Sequence, residues 1–254
     1  MSRVSALVAA LAILALAGCG SSDDDRDELL VSAATSLKSA FTSYGEQFDG
    51  AEAQFSFAGS DELAAQIRSG AKPDVFASAN RTLPDQLFDE GLVERPRVFA
   101  VNRLVLAVPA GEGKVKRFDD LTRKGVTIAI GAPGVPVGVY TRKTLDALDP
   151  TTRAAILANV RSEEPDVGGI AAKLGQRAAD AGFLYVTDVA AANGRLKAIE
   201  LPKTLRPKVA YAIAVVKGAP HRKAAQAFVA DLLNGAGEDA LEKAGFEPPP
   251  AERP

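Results

Sequence analysis

The chain contains two similar junctions, SAATSL at Ser32–Leu37 and FAGSDEL at Phe57–Leu63, where an apolar strand-like stretch runs through small residues into an amphipathic helix. Each junction places a serine, Ser36 or Ser60, at the start of its helix. In the first turn of a helix the backbone N–H groups have no partner within the helix, and the helix dipole is positive there. Two such junctions that converge would surround an anion with neutral hydrogen-bond donors.

Strand-like and helix-like segments alternate from Leu29 to Leu92, a pattern that predicts parallel βαβ units with helices on both faces of a sheet. An extended apolar run at 98–108 interrupts this rhythm, and a second series of strands and helices follows from Val126. Another apolar strand, at 210–216, precedes two terminal helices. We interpret the two long apolar strands as crossings between two lobes.

The sequence therefore predicts an α/β fold of two lobes, each a mostly parallel sheet flanked by helices. Lobe 1 is expected to comprise residues 29–101 and 217–254, and lobe 2 residues 102–216. In such a fold the carboxyl ends of strands and the N-termini of helices face a cleft between the lobes. Because Ser36 and Ser60 follow successive strands, both serines are expected on the same edge of one sheet.

The start of the chain has the pattern of a bacterial lipoprotein signal peptide. Arg3 precedes an apolar stretch, Val4–Ala17, which at about 14 residues is too short to span a bilayer core of about 30 Å. Small residues then lead to Cys19, the only cysteine. We expect residues 1–18 to be removed, Cys19 to be lipidated, and residues 19–28 to form a flexible tether. An ordinary secretory peptide and an apolar anchor helix remain the alternatives.

Composition and motifs favour a binding protein over an enzyme. The formal net charge of −2 over 254 residues, without a basic run, argues against a nucleic-acid partner. The only histidine, His221, lies at the start of a terminal helix and is expected to be exposed, and no Gly-x-Ser-x-Gly motif occurs. The sequence has no His/Cys cluster and no EF-hand-like acidic loop for a metal.

Three further segments carry candidate binding groups. The loop GAPGVPVGVY at Gly131–Tyr140 has glycines that permit close backbone approach, and Pro136 suits a first helical turn. Asp166 is expected to cap a helix that begins at Val167, and Tyr185 ends a buried strand with a donor hydroxyl. Each feature has a simpler interpretation: the serines as helix caps, the loop as an ordinary turn, and the tyrosine as core packing with a satisfied hydroxyl.

Taken together, these blocks resemble the molybdate-binding proteins of bacterial ABC importers, within the type II periplasmic binding protein superfamily, in a lipoprotein form. The resemblance extends from about Leu30 to Phe246 and depends on the order and spacing of several short blocks. These blocks are Ala33–Leu37, Phe57–Ser60, Gly131 with Pro133, Pro136–Tyr140, Asp166–Val167, Gly182–Tyr185 and Gly245–Phe246.

The resemblance implies a set of ligand-binding residues. Ser36 and Ser60 would donate both hydroxyl and N–H to a tetrahedral oxyanion. Val137 and Val167 would donate backbone N–H groups from the second lobe, and Tyr185 its hydroxyl. The ligand would be molybdate or tungstate, so the metal is bound as its oxyanion and not coordinated directly, and no cofactor is needed. The resemblance also implies a monomer held at the membrane by its lipid, which delivers the ligand to the permease of an ABC importer.

Some residues depart from the family pattern. Val137 stands where alanine is usual, and Gly168 stands where a larger residue is common. Asp61 and Glu62 place negative charge in the first turn of an anion-binding helix, and we expect both carboxylates to point into solvent.

Two other functions stay open at this point. The same fold could bind another solute, such as sulfate or a small carboxylate. An esterase that uses Ser36 or Ser60 is the enzymatic alternative.

Overall fold

The computed structural model describes residues 28–249. The expected signal peptide (1–18), Cys19 and nearly all of the expected tether (19–28) lie outside these residues. Within the described part of the chain, no helix is both long and apolar enough to cross a bilayer.

Strands and helices alternate through the described residues. The strands are β1 (Glu28–Ala34), β2 (Glu52–Ala58), β3 (Val75–Ser78), β4 (Arg97–Asn102), β5 (Leu104–Pro109), β6 (Ile128–Gly131), β7 (Val160–Glu164), β8 (Ala181–Tyr185), β9 (Leu196–Ile199) and β10 (Val209–Val215). The α-helices are α1 (Lys38–Gly45), α2 (Ser60–Arg68), α3 (Thr82–Asp89), α4 (Pro136–Asp146), α5 (Pro150–Leu157), α6 (Val167–Gly175), α7 (Val186–Ala191), α8 (Arg222–Asn234) and α9 (Ala236–Lys243). Short 3-10 turns lie at Thr35–Leu37, Phe118–Thr122 and Lys203–Leu205.

The strands form two five-stranded sheets, with the orders β2-β1-β3-β10-β4 and β7-β6-β8-β5-β9. In the first sheet β1 is parallel to β2 and β3, and β10 is antiparallel to β3 and β4. In the second sheet β6 is parallel to β7 and β8, and β5 is antiparallel to β8 and β9. The α/β fold with two lobes is confirmed, and each sheet contains antiparallel as well as parallel pairs.

The chain crosses between the sheets at two points. It leaves the first sheet at Arg103, between β4 and β5, and returns through residues 200–208, between β9 and β10. The expected span of lobe 2, 102–216, therefore ends too late, because β10 belongs to the first sheet. Nearly every residue of β10 is buried, as suits a strand between two neighbours, and an apolar strand of this kind does not itself indicate which sheet it joins.

Aromatic packing fixes the first serine junction in lobe 1. The ring of Phe228, on α8, lies 5.9 Å from the ring of Phe41 and 4.6 Å from the ring of Tyr44, both on α1. The buried Tyr44 hydroxyl also donates a hydrogen bond of 2.9 Å to the Phe228 carbonyl. These contacts hold α1, and with it the turn at Thr35–Leu37, against the terminal helices.

In lobe 2, the first turn of α4 packs closely against the end of β6 and the short loop that follows it. A Cβ atom added to Gly138 would overlap the carbonyl oxygens of Gly131 and Ala132. The glycine thus lets the first turn of α4 touch the backbone of the preceding loop, and this contact sets the position of the Val137 N–H.

We predict that Gly138→Ala destabilises the protein by about 1–3 kcal/mol, because the added methyl group must displace backbone atoms. Gly175→Ala is the matched control, since an added Cβ at Gly175, in α6, meets no atom within 4 Å. Urea unfolding should show a lower midpoint for Gly138→Ala and an unchanged or higher one for Gly175→Ala. Equal midpoints for the two variants would contradict the packing argument.

Candidate functional site

The two serine junctions of lobe 1 and two helix starts of lobe 2 converge on one small cavity. The cavity is narrow, with a volume of about 10 Å³. The lining is Ala34, Thr35, Ser36, Ala58, Gly59, Ser60 and Ala79 from the first lobe, and Val135, Pro136, Val137, Asp166, Val167 and Tyr185 from the second. The structure therefore brings together Ser36, Ser60, Val137, Val167 and Tyr185, the whole predicted set.

Helix starts supply most of the donors that face this cavity. Ser36 lies in the turn before α1 and Ser60 is the first residue of α2, while Val137 and Val167 are the second residue of α4 and the first of α6. The N–H groups at these positions have no partner within their helices. No lysine or arginine is part of the described lining, so the cavity is suited to an anion that is held by dipoles and neutral donors.

Neither Ser36 nor Ser60 is the capping residue of its helix, so the simpler interpretation of the two serines as helix caps is wrong. The Oγ atom of Ser36 lies 2.8 Å from the Oη atom of Tyr211, a buried residue of β10. The Oγ atom of Ser60 accepts a hydrogen bond of 3.0 Å from the Ala79 N–H. Each serine hydroxyl thus makes one hydrogen bond within the protein and can still make another to a ligand in the cavity.

Tyr185 presents an unsatisfied donor. Its side chain is fully buried, and its Oη atom has no hydrogen-bond partner among the described residues. A buried polar group without a partner costs about 1–3 kcal/mol. Burial also raises the pKa of Tyr185 well above its usual value of 10, so the hydroxyl keeps its proton. The interpretation of Tyr185 as core packing with a satisfied hydroxyl is therefore wrong, and its position suits a donor to a ligand.

A direct hydrogen bond joins the lobes beside the cavity. The Thr35 hydroxyl, in lobe 1, donates to an Asp166 carboxylate oxygen at 2.9 Å. The other carboxylate oxygen of Asp166 accepts from the Gly169 N–H at 3.0 Å, which confirms the expected cap of α6. A Cβ atom on Gly168 would lie 3.2 Å from the Thr35 methyl group, so the glycine permits this close approach of the lobes.

The two acidic residues of the second junction, Asp61 and Glu62, differ in their exposure to solvent. Glu62 is exposed and accepts a hydrogen bond from Gln66, as expected. The expectation for Asp61 is wrong, because its Oδ1 atom is buried and has no hydrogen-bond partner among residues 28–249. A Cβ atom added to Gly134 would lie 3.3 Å from the Oδ2 atom of Asp61. The carboxylate therefore faces the Gly131–Tyr140 loop across the cleft, where the approach of the second lobe removes it from solvent.

Sequence reasoning missed Asp188, a half-buried carboxylate at the start of α7. Its Oδ2 atom accepts a hydrogen bond of 3.0 Å from the Tyr185 N–H. Burial, with a smaller contribution from the negative charge of Asp166, raises the pKa of Asp188 to about 7. The three-residue spacing from Tyr185 to Asp188 is a recognisable signal, since an acidic residue at this position commonly binds the N–H at a helix start. Tyr211, which holds Ser36, had no such signal.

The sequence pattern of the bacterial extracellular solute-binding proteins matches residues 29–247. The chain belongs to this family. As a solute-binding protein it functions outside the cytoplasm, and its role is binding and not catalysis.

This solute-binding protein is similar to two named relatives and to one solved structure. It is 36% identical to the molybdate-binding protein ModA of Mycobacterium tuberculosis (strain ATCC 25618 / H37Rv), over 96% of this chain and 97% of that protein. It is 28% identical to the putative ABC transporter substrate-binding lipoprotein YvgL of Bacillus subtilis (strain 168), over 96% and 98%. The periplasmic molybdate-binding protein of Azotobacter vinelandii has a similar fold, with a TM-score of 0.78 and 22% identity, over 87% of this chain and 100% of that one.

The raised pKa of Asp188 predicts a pH-dependent effect of Asp188→Asn on stability. In the folded chain Asp188 keeps its proton up to about pH 7, whereas an unfolded aspartate loses its proton near pH ~4. The folded state thus binds more protons between these values, so the contribution of this group to stability falls as the pH rises through that window.

We therefore expect Asp188→Asn to become more stable relative to the wild type as the pH is raised from about 5 to about 8. Urea unfolding of both proteins at the two pH values measures this difference, and pH effects of other groups cancel in the comparison. The amide oxygen still accepts from the Tyr185 N–H, which keeps the helix start intact. A stability difference that is the same at both pH values would contradict the raised pKa.

Proposed function

We propose that this chain captures molybdate or tungstate outside the cytoplasm and delivers it to the permease of an ABC importer. The observation that carries the proposal is the buried, unpartnered hydroxyl of Tyr185 on a cavity lined by helix starts and two serines. The choice of ligand is supported by the 36% identity of this chain to a protein named as molybdate-binding, over nearly the full length of both chains.

The chemistry of the donors suits an oxyanion that carries no proton. Molybdate and tungstate present only acceptor oxygens at neutral pH, and hydroxyl and N–H groups can satisfy all of them. Sulfate has shorter bonds from its central atom to oxygen, so a shell of donors fitted to molybdate holds sulfate loosely. The alternative ligands, sulfate or a small carboxylate, are therefore tested as competitors.

The number of donors is sufficient for tight binding. A hydrogen bond to a charged partner contributes about 1.5–3 kcal/mol, so about seven sum to roughly 10–20 kcal/mol. A submicromolar dissociation constant needs only about 8–9 kcal/mol. The surplus offsets the dehydration of a dianion and the loss of motion of the ligand and of the two lobes.

Because the donors belong to both lobes, only the closed arrangement completes the shell around the ligand. Ligand binding then shifts the population toward the closed form, which the importer recognises. The hydrogen bond between Thr35 and Asp166 forms in the same closed arrangement and supports it.

Tyr185→Phe tests the site with one atom removed. We predict that this variant binds molybdate about 10- to 100-fold more weakly in calorimetry, because one hydrogen bond to the anion is lost. Without ligand it should unfold at the same or a higher urea concentration, since the removed hydroxyl has no partner.

Tyr44→Phe is the matched control, because its hydroxyl bonds the Phe228 carbonyl away from the cavity. This control should lose stability by about 1 kcal/mol and keep its affinity. An unchanged affinity of Tyr185→Phe would exclude Tyr185 as a ligand donor. The proposed function fails if the wild-type protein binds neither molybdate nor tungstate at micromolar concentration, or if excess sulfate abolishes the molybdate signal.

We further propose that Cys19 is lipidated and holds the mature chain, as a monomer, at the outer face of the cell membrane. The sequence LAGC at Leu16–Cys19 and the lipoprotein name of the Bacillus subtilis relative support this. Cys19→Ser is expected to move the protein from the membrane fraction into the soluble fraction, as detected by immunoblotting. Retention of this variant in the membrane fraction would instead indicate an uncleaved apolar anchor.

A further inference from the structure

A chain of four buried polar side chains runs from the junction of the lobes to Ser36. The Asn102 amide nitrogen donates to the Thr187 hydroxyl at 2.9 Å and to the Tyr211 Oη atom at 3.4 Å. The Tyr211 Oη atom in turn lies 2.8 Å from the Ser36 Oγ atom. Asn102 and Tyr211 lie next to the two crossings between the lobes, and Thr187 belongs to lobe 2. This series of hydrogen bonds therefore connects the lobe junction to the cavity.

The two hydrogen bonds from Asn102 have a fixed direction. The side-chain oxygen of Asn102, Oδ1, accepts a hydrogen bond of 2.8 Å from the Arg103 N–H. The side-chain nitrogen, Nδ2, must therefore face Thr187 and Tyr211. An amide nitrogen donates and does not accept, and Tyr211 therefore accepts from Asn102.

The single proton of the Tyr211 hydroxyl then has one acceptor among the described residues, the Ser36 Oγ atom. The reverse arrangement, in which Ser36 donates to Tyr211, would leave the buried tyrosine proton without a partner. Burial raises the pKa of Tyr211 well above its usual value of 10, so this proton stays in place. With Tyr211 as its donor, Ser36 turns its own proton toward the cavity.

We propose that Tyr211, oriented by Asn102, is a positioning residue that fixes Ser36 as a hydrogen-bond donor and makes the site discriminate against oxyanions that carry a proton. This inference rests on the proposed function. A free serine hydroxyl can donate or accept, whereas a protonated oxyanion needs an acceptor in the shell. Asp166 is the one carboxylate in the described lining of the cavity, and its two oxygens already accept from Thr35 and Gly169.

The test compares molybdate with hydrogen arsenate, a tetrahedral oxyanion that carries one proton at weakly alkaline pH. Calorimetry and competition titrations are run on the wild type, Ser36→Ala, Tyr211→Phe and the double variant. We expect Tyr211→Phe to weaken molybdate binding about five- to tenfold and hydrogen arsenate binding clearly less, so that the selectivity ratio falls. In the Ser36→Ala background, Tyr211→Phe should change molybdate affinity by less than about twofold, because Tyr211 acts through Ser36.

Asn102→Asp provides a second variant, because a carboxylate there accepts the Tyr211 proton and turns it away from Ser36. It should reproduce the loss of selectivity, and thermal unfolding checks that each variant is folded. Tyr44→Phe, which removes another buried tyrosine hydroxyl of lobe 1, should keep the wild-type ratio.

Equal losses for both anions, or a Tyr211→Phe effect that persists in the Ser36→Ala background, would overturn the inference and indicate a packing role for Tyr211. Failure of the wild-type protein to bind molybdate and tungstate would overturn the proposed function, and this inference with it. The two failures are therefore distinguishable.

Discussion

A dehydrated oxyanion must have hydrogen-bond donors on every side, and a single helix start offers them on one side only. This constraint accounts for the main features of the structure. Two sheets each aim helix starts at one cavity, which places Ser36 and Ser60 opposite Val137 and Val167. The chain crosses twice between the sheets, so the two groups of helix starts belong to separate lobes.

The residues around the shell determine how closely the lobes approach. Gly168 lets the Thr35 hydroxyl reach one Asp166 carboxylate oxygen, and the other oxygen accepts from the Gly169 N–H, so both oxygens have a donor although the charge is not neutralised. The buried Oδ1 atom of Asp61 has no hydrogen-bond partner among the described residues, so its burial is unfavourable and its negative charge repels a nearby anion. The arrangement thus combines neutral donors at the cavity with one unfavourable buried carboxylate oxygen close to the cleft.

The sequence was sufficient to predict the two-lobed α/β fold and to place Ser36, Ser60, Val137, Val167 and Tyr185 at one site, because strand, small residues and helix start form a local pattern. What it could not predict depends on contacts between distant segments. The sheet to which β10 belongs, the buried orientation of Asp61 and the bond from Tyr211 to Ser36 all depend on tertiary neighbours. Short elements such as β7 and α7 are not predictable from the sequence pattern, because five or six residues carry little periodicity.

The absence of lysine and arginine from the described lining of the cavity has a kinetic consequence. Charged side chains attract an oppositely charged ligand over about a Debye length, and salt weakens that attraction. Dipoles attract an anion only at short range, and the Asp166 carboxylate in the lining and the slightly negative charge of the whole chain add no long-range attraction. Under the proposed function, the ligand then reaches the cavity by diffusion with little dependence on salt, so the protein is suited to surroundings whose ionic strength varies widely.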